Sequence, residues 1–257
     1  MKFVFDLDGT ICFRGQPISN SILDALAELD RSGHQVIFAS ARPIRDMLPV
    51  IHDDFHHFTM IGGNGSLISS KGKMINSVAF SSDELNEIIQ LMNEFEATYL
   101  IDGDWDYAYT GPENHPILQN LDPAKLANVV GFESLSSVVK ILILTSKDNE
   151  LLAEKLNELD VHVNKHGKED VLDISPQGIH KWSALESLGI EKGSYIAFGN
   201  DANDITMFEN AFHTVMIGHH EQLANVAIES IAETEEIEQQ IVQKLHEISS
   251  KFHKIYL

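Results

Sequence analysis

Phe3-Val4-Phe5-Asp6-Leu7-Asp8-Gly9-Thr10 is the stretch on which the reading of this chain turns. Residues 3–5 form a short, continuous apolar run, the pattern of a strand buried on both faces in a parallel sheet. Two aspartates follow, two residues apart, and ligands of open parallel sheets bind at the carboxyl ends of the strands. Asp6 offers a carboxylate oxygen to a divalent cation. Asp8 offers its backbone carbonyl and keeps its side chain free. Mg²⁺ suits such an all-oxygen set, with water in the remaining positions. Gly9 lets the chain turn away tightly. Taken alone, the same four residues read more readily as a solvated Asx turn, so the rest of the chain has to decide.

Working outward, Ser19 or Asn20 caps a helix whose apolar face is Ile22, Leu26 and Leu29, with Gly33 as its stop. Residues 36–39 are a second buried strand, which completes a right-handed βαβ unit. Near the other end, residues 195–198 are another such strand, ending in Gly199. A helix around residues 204–211 and a strand at 214–217 follow. Ile237, Ile241, Leu245, Ile248 and Phe252 give the last helix one apolar face. The middle reads differently. Leu85, Ile88, Ile89, Met92 and Phe95 form a helix face. Residues 98–101 and 107–110 are strands about the turn Asp102-Gly103-Asp104. Residues 138–144 are a strand, 149–159 a helix, and 161–163 and 171–174 strands. The predicted fold is therefore α/β: a Rossmann-like parallel-sheet core of residues 1–78 and 179–257, interrupted by an inserted α+β domain of residues 79–178.

The 257 residues carry 18 Lys plus Arg against 39 Asp plus Glu, a net charge of −21. Such a surface repels nucleic acid and anionic lipid, which points to a small-molecule partner. An anionic substrate would need a local reversal of the field, and a bound cation supplies one. The single cysteine, Cys12, excludes an internal disulfide framework and a Cys-rich zinc site. No run approaches the roughly 20 apolar residues of a membrane span, and Asp6 interrupts any signal-peptide core. The expected location is the cytoplasm. The sequence carries no signal for an oligomeric state.

Other predicted strand ends are also polar. Ser40 closes the second strand, and its hydroxyl with the amide of Ala41 suits a phosphate oxygen; a helix cap is the plainer reading. Lys181 opens a helix just before the late strand, where a cation opposes the helix dipole. The late strand ends in Gly199-Asn200-Asp201-Ala202-Asn203-Asp204, which supplies further oxygen ligands or, more simply, a cap at Asn203 or Asp204.

Together these segments resemble the haloacid dehalogenase-like hydrolase superfamily. Phe5-Asp6-Leu7-Asp8-Gly9-Thr10 matches its first motif, Ser40 the second, Lys181 the third, and Gly199–Asp204 approximates the fourth, all in order. The insertion between the second and third motifs resembles the C2B cap of the Cof-type phosphatases, as does the Asn64-Gly65 pair before it. Three departures stand out: Ser40-Ala41-Arg42 has alanine where glycine is common, His180-Lys181-Trp182 replaces Asn-Lys-Gly, and Asn200 occupies the place of a metal-binding aspartate.

The resemblance implies a Mg²⁺-dependent phosphatase acting on a small phosphorylated metabolite, such as a sugar phosphate. Asp6 would attack phosphorus and form an aspartyl-phosphate, and Asp8 would serve as acid and then base. Ser40, Ala41, Lys181 and Asn203 would bind the phosphoryl oxygens, giving a cationic pocket. Asp6, Asp8 and Asn200 would hold the metal, with Asp201 or Asp204 as the other candidates. Arg42, Asn64 and Gly65 would help select substrate. Arg42 and Arg45 read either as contacts to a second anion or as exposed helix residues. Asp102, Asp104, Trp105, Tyr107, Tyr109 and His115 suit a polyol, or form an ordinary wet sheet face. His52, His56 and His57 lack partners at metal-site spacing and read as surface. A phosphomutase with the same nucleophile and a non-catalytic module binding a phosphorylated ligand are the alternatives.

Overall fold

A computed structural model describes residues 1–166 and 171–253. The first part of the chain runs β1 (Lys2–Phe5), α1 (Asn20–Arg31), β2 (Gln35–Ala39), α2 (Ile44–Met47), β3 (Thr59–Gly62), β4 (Leu67–Ser70) and β5 (Lys73–Ser77). The middle contributes α3 (Ser82–Glu94), β6 (Thr98–Asp102), β7 (Tyr107–Tyr109), β8 (Lys140–Thr145), α4 (Asn149–Asn157), β9 (Val161–His166) and β10 (Val171–Pro176). The remainder is α5 (Lys181–Ser187), β11 (Tyr195–Gly199), α6 (Ile205–Glu209), β12 (His213–Ile217), α7 (Glu221–Ala224), β13 (Glu229–Ile231) and α8 (Ile237–His253).

Two sheets result. The core sheet has the order β13-β12-β11-β1-β2-β3-β4-β5. β1 lies inside it, with Phe5 in parallel register with Phe198 of β11 and Phe38 of β2. Phe3, Val4 and Phe5 are fully buried, because helices cover both faces. One face packs on α1 and α8 through Ile22, Leu26, Ile241 and Leu245; Ala184, Leu185, Met207 and Phe208 of α5 and α6 pack on the other. β4 and β5 are antiparallel and extend the sheet past β3. The sequence reading did not foresee β3, β4 or β5.

The second sheet, order β7-β6-β8-β10-β9, is antiparallel throughout. β8, α4 and β9 form a split βαβ unit with β10 between the strands. α3 and α4 cover one face through Ile88, Met92, Leu152 and Leu156. This α+β unit is a cap on the parallel core, the architecture expected from the sequence. No helix among the described residues is long and apolar enough to cross a membrane.

Candidate active site

Asp6 continues the line of β1, and its amide still bonds to the Phe198 carbonyl at 2.9 Å. The chain then folds on itself: the amides of Thr10, Ile11 and Cys12 all reach the Leu7 carbonyl, at 3.1, 3.0 and 2.8 Å. Gly9 adopts φ +79°, and a Cβ there would collide with the Asn200 amide, so only glycine fits this turn. The tight loop brings the Thr10 hydroxyl 2.9 Å from Asp6 Oδ2 and 3.2 Å from Asn200 Oδ1. Asp6 Oδ1 accepts from Lys181 Nζ at 2.6 Å, and the same ammonium donates to Asp204 Oδ1 at 2.6 Å. Asp6, Lys181 and Asp204 are all buried.

Burial pushes the Asp6 carboxyl up to about 7; Lys181 works against that rise, and Asp204 and Asp8 add to it. Burial also opposes the charge of Lys181, but Asp204 and Asp6 hold its pKa above the ordinary lysine value. The position that looked misplaced against a helix dipole is thus compensated by two carboxylates. Gly65 explains how α5 comes so close: a Cβ there would lie 2.6 Å from the His180 carbonyl oxygen.

Asp8 stands apart from Asp6. Its carboxylate is gripped by Arg42, whose Nε and Nη2 donate to its two oxygens. Arg42 is buried and Arg45 is 1% exposed, so neither is the exposed helix residue that the sequence allowed. Arg45 binds Asp46 and, across to the cap, Asp102 Oδ1 at 2.8 Å and the Trp105 carbonyl at 2.7 Å, with its guanidinium over the Tyr107 ring. Asp102 and Tyr107 are correspondingly buried rather than part of a wet sheet face.

The loop after β11 separates the three candidate metal ligands. Asn200 Oδ1 accepts from the Thr10 hydroxyl, which also donates to Asp6. Asp204 has no oxygen turned that way: Oδ1 accepts from Lys181, and Oδ2 from the amides of Asn200 and Asp201 at 2.8 and 3.2 Å. Asp201 Oδ1 accepts from the Ala202 amide at 2.7 Å, so Asp201 caps the short turn at residues 202–204, while Asp204 stands at the N-cap position of α6 without a side-chain capping bond. The carboxylate oxygen of Asp6 and the amide oxygen of Asn200 converge on the Thr10 hydroxyl, and these are the residues that could hold a divalent cation. That donor set is all oxygen, which suits Mg²⁺. Among the described residues no group of three or more His, Cys, Asp or Glu forms a metal site, and this includes His52, His56 and His57.

Ser40 is buried and its hydroxyl accepts from the Arg42 amide at 3.1 Å. The Ala41 carbonyl accepts from Lys140 Nζ of the cap at 2.8 Å. Asn203 Nδ2 donates to Asn64 Oδ1 at 3.2 Å. Asn64 and Asn203 line both a cavity of about 910 Å³, shared with Gly9, Asn200 and Asp173, and a neighbouring one of about 260 Å³, shared with Lys181.

This arrangement has relatives. A model of the haloacid dehalogenase-like hydrolase family matches residues 3–238. The chain belongs to that family. It is 23% identical over 234 residues to the HMP-PP phosphatase of Serratia proteamaculans, covering 84% of this chain and 82% of the relative. It is 22% identical over 231 residues to the 5-amino-6-(5-phospho-D-ribitylamino)uracil phosphatase YitU of Bacillus subtilis, covering 83% and 85%. The solved structure of the haloacid dehalogenase subclass IIB sugar phosphatase BT4131 superposes with a TM-score of 0.78 at 17% identity, covering 96% of this chain and 98% of that one.

In this hydrolase the charge around the site differs from the expected cationic pocket. Asp6, Asp8, Asp46, Asp102, Asp173 and Asp204 outnumber Arg42, Arg45, Lys140 and Lys181. Each cation already has a carboxylate partner, so the side chains themselves leave the site acidic. Sequence reasoning missed Thr10, Lys140 and Asp173. Thr10 belonged to the quoted first stretch and had a visible signal. The two cap residues gave only one, a charge set in otherwise apolar strands. Cys12 is buried beside the site, and burial pushes its thiol up to about 12.

Proposed function

We propose that this haloacid dehalogenase-like hydrolase is a Mg²⁺-dependent phosphatase of small phosphorylated metabolites, working through an aspartyl-phosphate. One observation carries the reading: a buried carboxylate, Asp6, at the carboxyl end of β1, held between Lys181 and the Thr10–Asn200 pair. Lys181 and Asn203 line the adjoining cavity as phosphoryl-oxygen donors, and the hydroxyl of Ser40 and the amide of Ala41 would complete the set. The relatives named for HMP-PP, a ribityl phosphate and a sugar phosphate support a small phosphorylated substrate.

In the first step an Asp6 oxygen forms a bond to phosphorus as the bond from phosphorus to the leaving oxygen breaks. Asp8, parted from Arg42 and in its protonated form, gives that oxygen a proton. In the second step Asp8 takes a proton from water, whose oxygen attacks phosphorus and releases inorganic phosphate and the Asp6 carboxylate. Asp6, the Asp8 carbonyl and Asn200 would hold Mg²⁺, which supplies positive charge to the phosphoryl oxygens where the side chains alone leave the site acidic. Lys181 keeps Asp6 oriented, and Arg42 holds Asp8 at rest. Residues 79–178 act as the cap over the leaving group, with residues 1–78 and 179–257 as the catalytic core.

The test is phosphate release over a panel of sugar phosphates, nucleotides and phosphorylated cofactors, with Mg²⁺ and with chelator. Mg²⁺-dependent release from at least one small ester is expected. Equal rates after exhaustive chelation would remove the metal from the reading, and no release from any ester would remove the phosphatase.

A further inference from the structure

Asp173 sits on β10 of the cap, fully buried, and belongs to none of the four motifs. Its Oδ2 accepts from Asn64 Nδ2 at 3.1 Å. Asn64 Oδ1 in turn accepts from Asn203 Nδ2 at 3.2 Å. Lys140 Nζ, on β8, lies 3.0 Å from the same Asp173 oxygen and donates to the Ala41 carbonyl at 2.8 Å. Two cap residues therefore reach both segments that flank the phosphoryl site.

The chemistry of this chain has a direction. A carboxylate paired with an ammonium only accepts hydrogen bonds. Asn64 must then turn its nitrogen to Asp173 and its oxygen to Asn203. Asn203 must answer with its own nitrogen, which carries a second N–H. Without the carboxylate, either amide could rotate by half a turn and present an oxygen to an incoming phosphoryl group. Asn64 is also held in the left-handed region, at φ 58° and ψ 13°, with its amide on the Ser40 carbonyl at 3.0 Å. Asparagine tolerates that conformation better than most residues, but it is sparsely populated and the surroundings must impose it.

We propose that Asp173 is a positioning residue that sets the donor direction of the Asn64–Asn203 relay, so that an N–H of Asn203 is aimed at a phosphoryl oxygen. This rests on the phosphoryl-transfer reading above and extends the phosphate-binding machinery into the cap. The rival role for a buried cap carboxylate is contact with the leaving group. The two differ in substrate dependence: the phosphoryl group is common to every ester, and the leaving group is not.

The experiment compares wild type, Asp173→Asn, Asn64→Gly and the double variant on three esters with unlike leaving groups: p-nitrophenyl phosphate, a hexose phosphate and a nucleoside monophosphate. Glycine is chosen at position 64 because it accepts the positive φ. Asp173→Asn should lower kcat/KM roughly ten- to hundred-fold, by the same factor for each ester that wild type hydrolyses. Orthovanadate binding, measured by calorimetry, should weaken in step. Asn64→Gly should reproduce the loss, and the double variant should be no worse than Asn64→Gly. Losses that multiply, or a loss confined to one ester, would overturn the relay. Should Asp173→Asn not fold, a folded Asn64→Gly with wild-type kcat/KM and vanadate affinity overturns it equally. A wild type that hydrolyses no ester and binds no orthovanadate would overturn the phosphoryl-transfer reading, and the relay with it.

Discussion

Arg42 grips Asp8 from a buried position: its Nε and Nη2 lie 2.7 and 2.6 Å from the two carboxylate oxygens, while the Asp8 side chain is 48% exposed. Asp6, two residues earlier, is bound from below by a lysine that has a second carboxylate. The two aspartates of one motif therefore play different parts in stability.

Removing Asp8 takes away the carboxylate partner of Arg42, which among the described residues keeps the Asp46 carbonyl at 3.3 Å. Asp8→Asn should cost about 1–2 kcal/mol, less than a fully buried pair because Asp8 is half in water. Asp6→Asn should cost little, because Lys181 retains Asp204 at 2.6 Å. Burial raises the Asp6 pKa to about 7, so its ionised form weakens the fold as pH rises through that value, and the amide variant should melt at or above wild type at pH 8. Both variants should lose turnover, Asp6→Asn by on the order of a thousand-fold or more. Thermal melts with parallel assays check the contrast; a destabilised, active Asp6→Asn would refute it.

If Asn200 holds the metal as proposed, it does so as a neutral ligand. Asn200→Asp should lower the Mg²⁺ concentration for half-maximal activity, and for half-maximal thermal protection, at least roughly threefold. Asp201→Asn should leave both unchanged, since Asp201 caps the next turn at 2.7 Å. The opposite pattern in a Mg²⁺ titration would make Asp201 the ligand.

His180 caps α5, the helix that opens with Lys181: its Nδ1 accepts from the Ser183 amide at 3.0 Å. Burial lowers its pKa, and His162 lowers it further. A base with a lowered folded pKa stabilises above its unfolded value and loses that contribution as pH falls through the folded one. Protonated Nδ1 cannot accept, and a lost cap costs about 1 kcal/mol. His180→Asn, which caps without titrating, should therefore lose less melting temperature than wild type between pH 7.5 and 5.5. Equal losses would exclude His180 as a source of acid sensitivity.

Cys12 is 1% exposed, and its raised pKa keeps it a thiol at neutral pH. A thiol-specific disulfide reagent at pH 8 should titrate no cysteine in the native protein and one in denaturant. Rapid native labelling would contradict its burial.

What the sequence made legible was whatever repeats along one chain segment. The run at residues 3–5 and the helix faces at Ile22–Leu29 and Ile237–Phe252 follow from periodicity alone. β5 was not legible, because all five of its residues are exposed and carry no apolar pattern. The charged contacts between core and cap were also hidden. Asp173 lies in a strand whose six residues are all buried, so alternation gave no outward face to assign it to. Arg45, on α2 of the core, and Asp102, on β6 of the cap, are 57 residues apart and meet only in the tertiary structure. The first motif was readable for the opposite reason: Asp6 and Asp8 lie within one turn of chain.

The Arg45 arrangement bears on how the two sheets could part. Asp102 and the Trp105 carbonyl lie across the gap, but Asp46 is Arg45's own chain neighbour and bonds to it at 2.9 and 3.0 Å. On separation the guanidinium would enter water with its counterion travelling alongside, never as a bare charge. Opening the seam would still break the Asn64–Asp173 and Lys140–Ala41 bonds and take Asp102 from its cation, but Arg45 would leave with its charge already paired, so this buried ion pair acts as a latch rather than a weld.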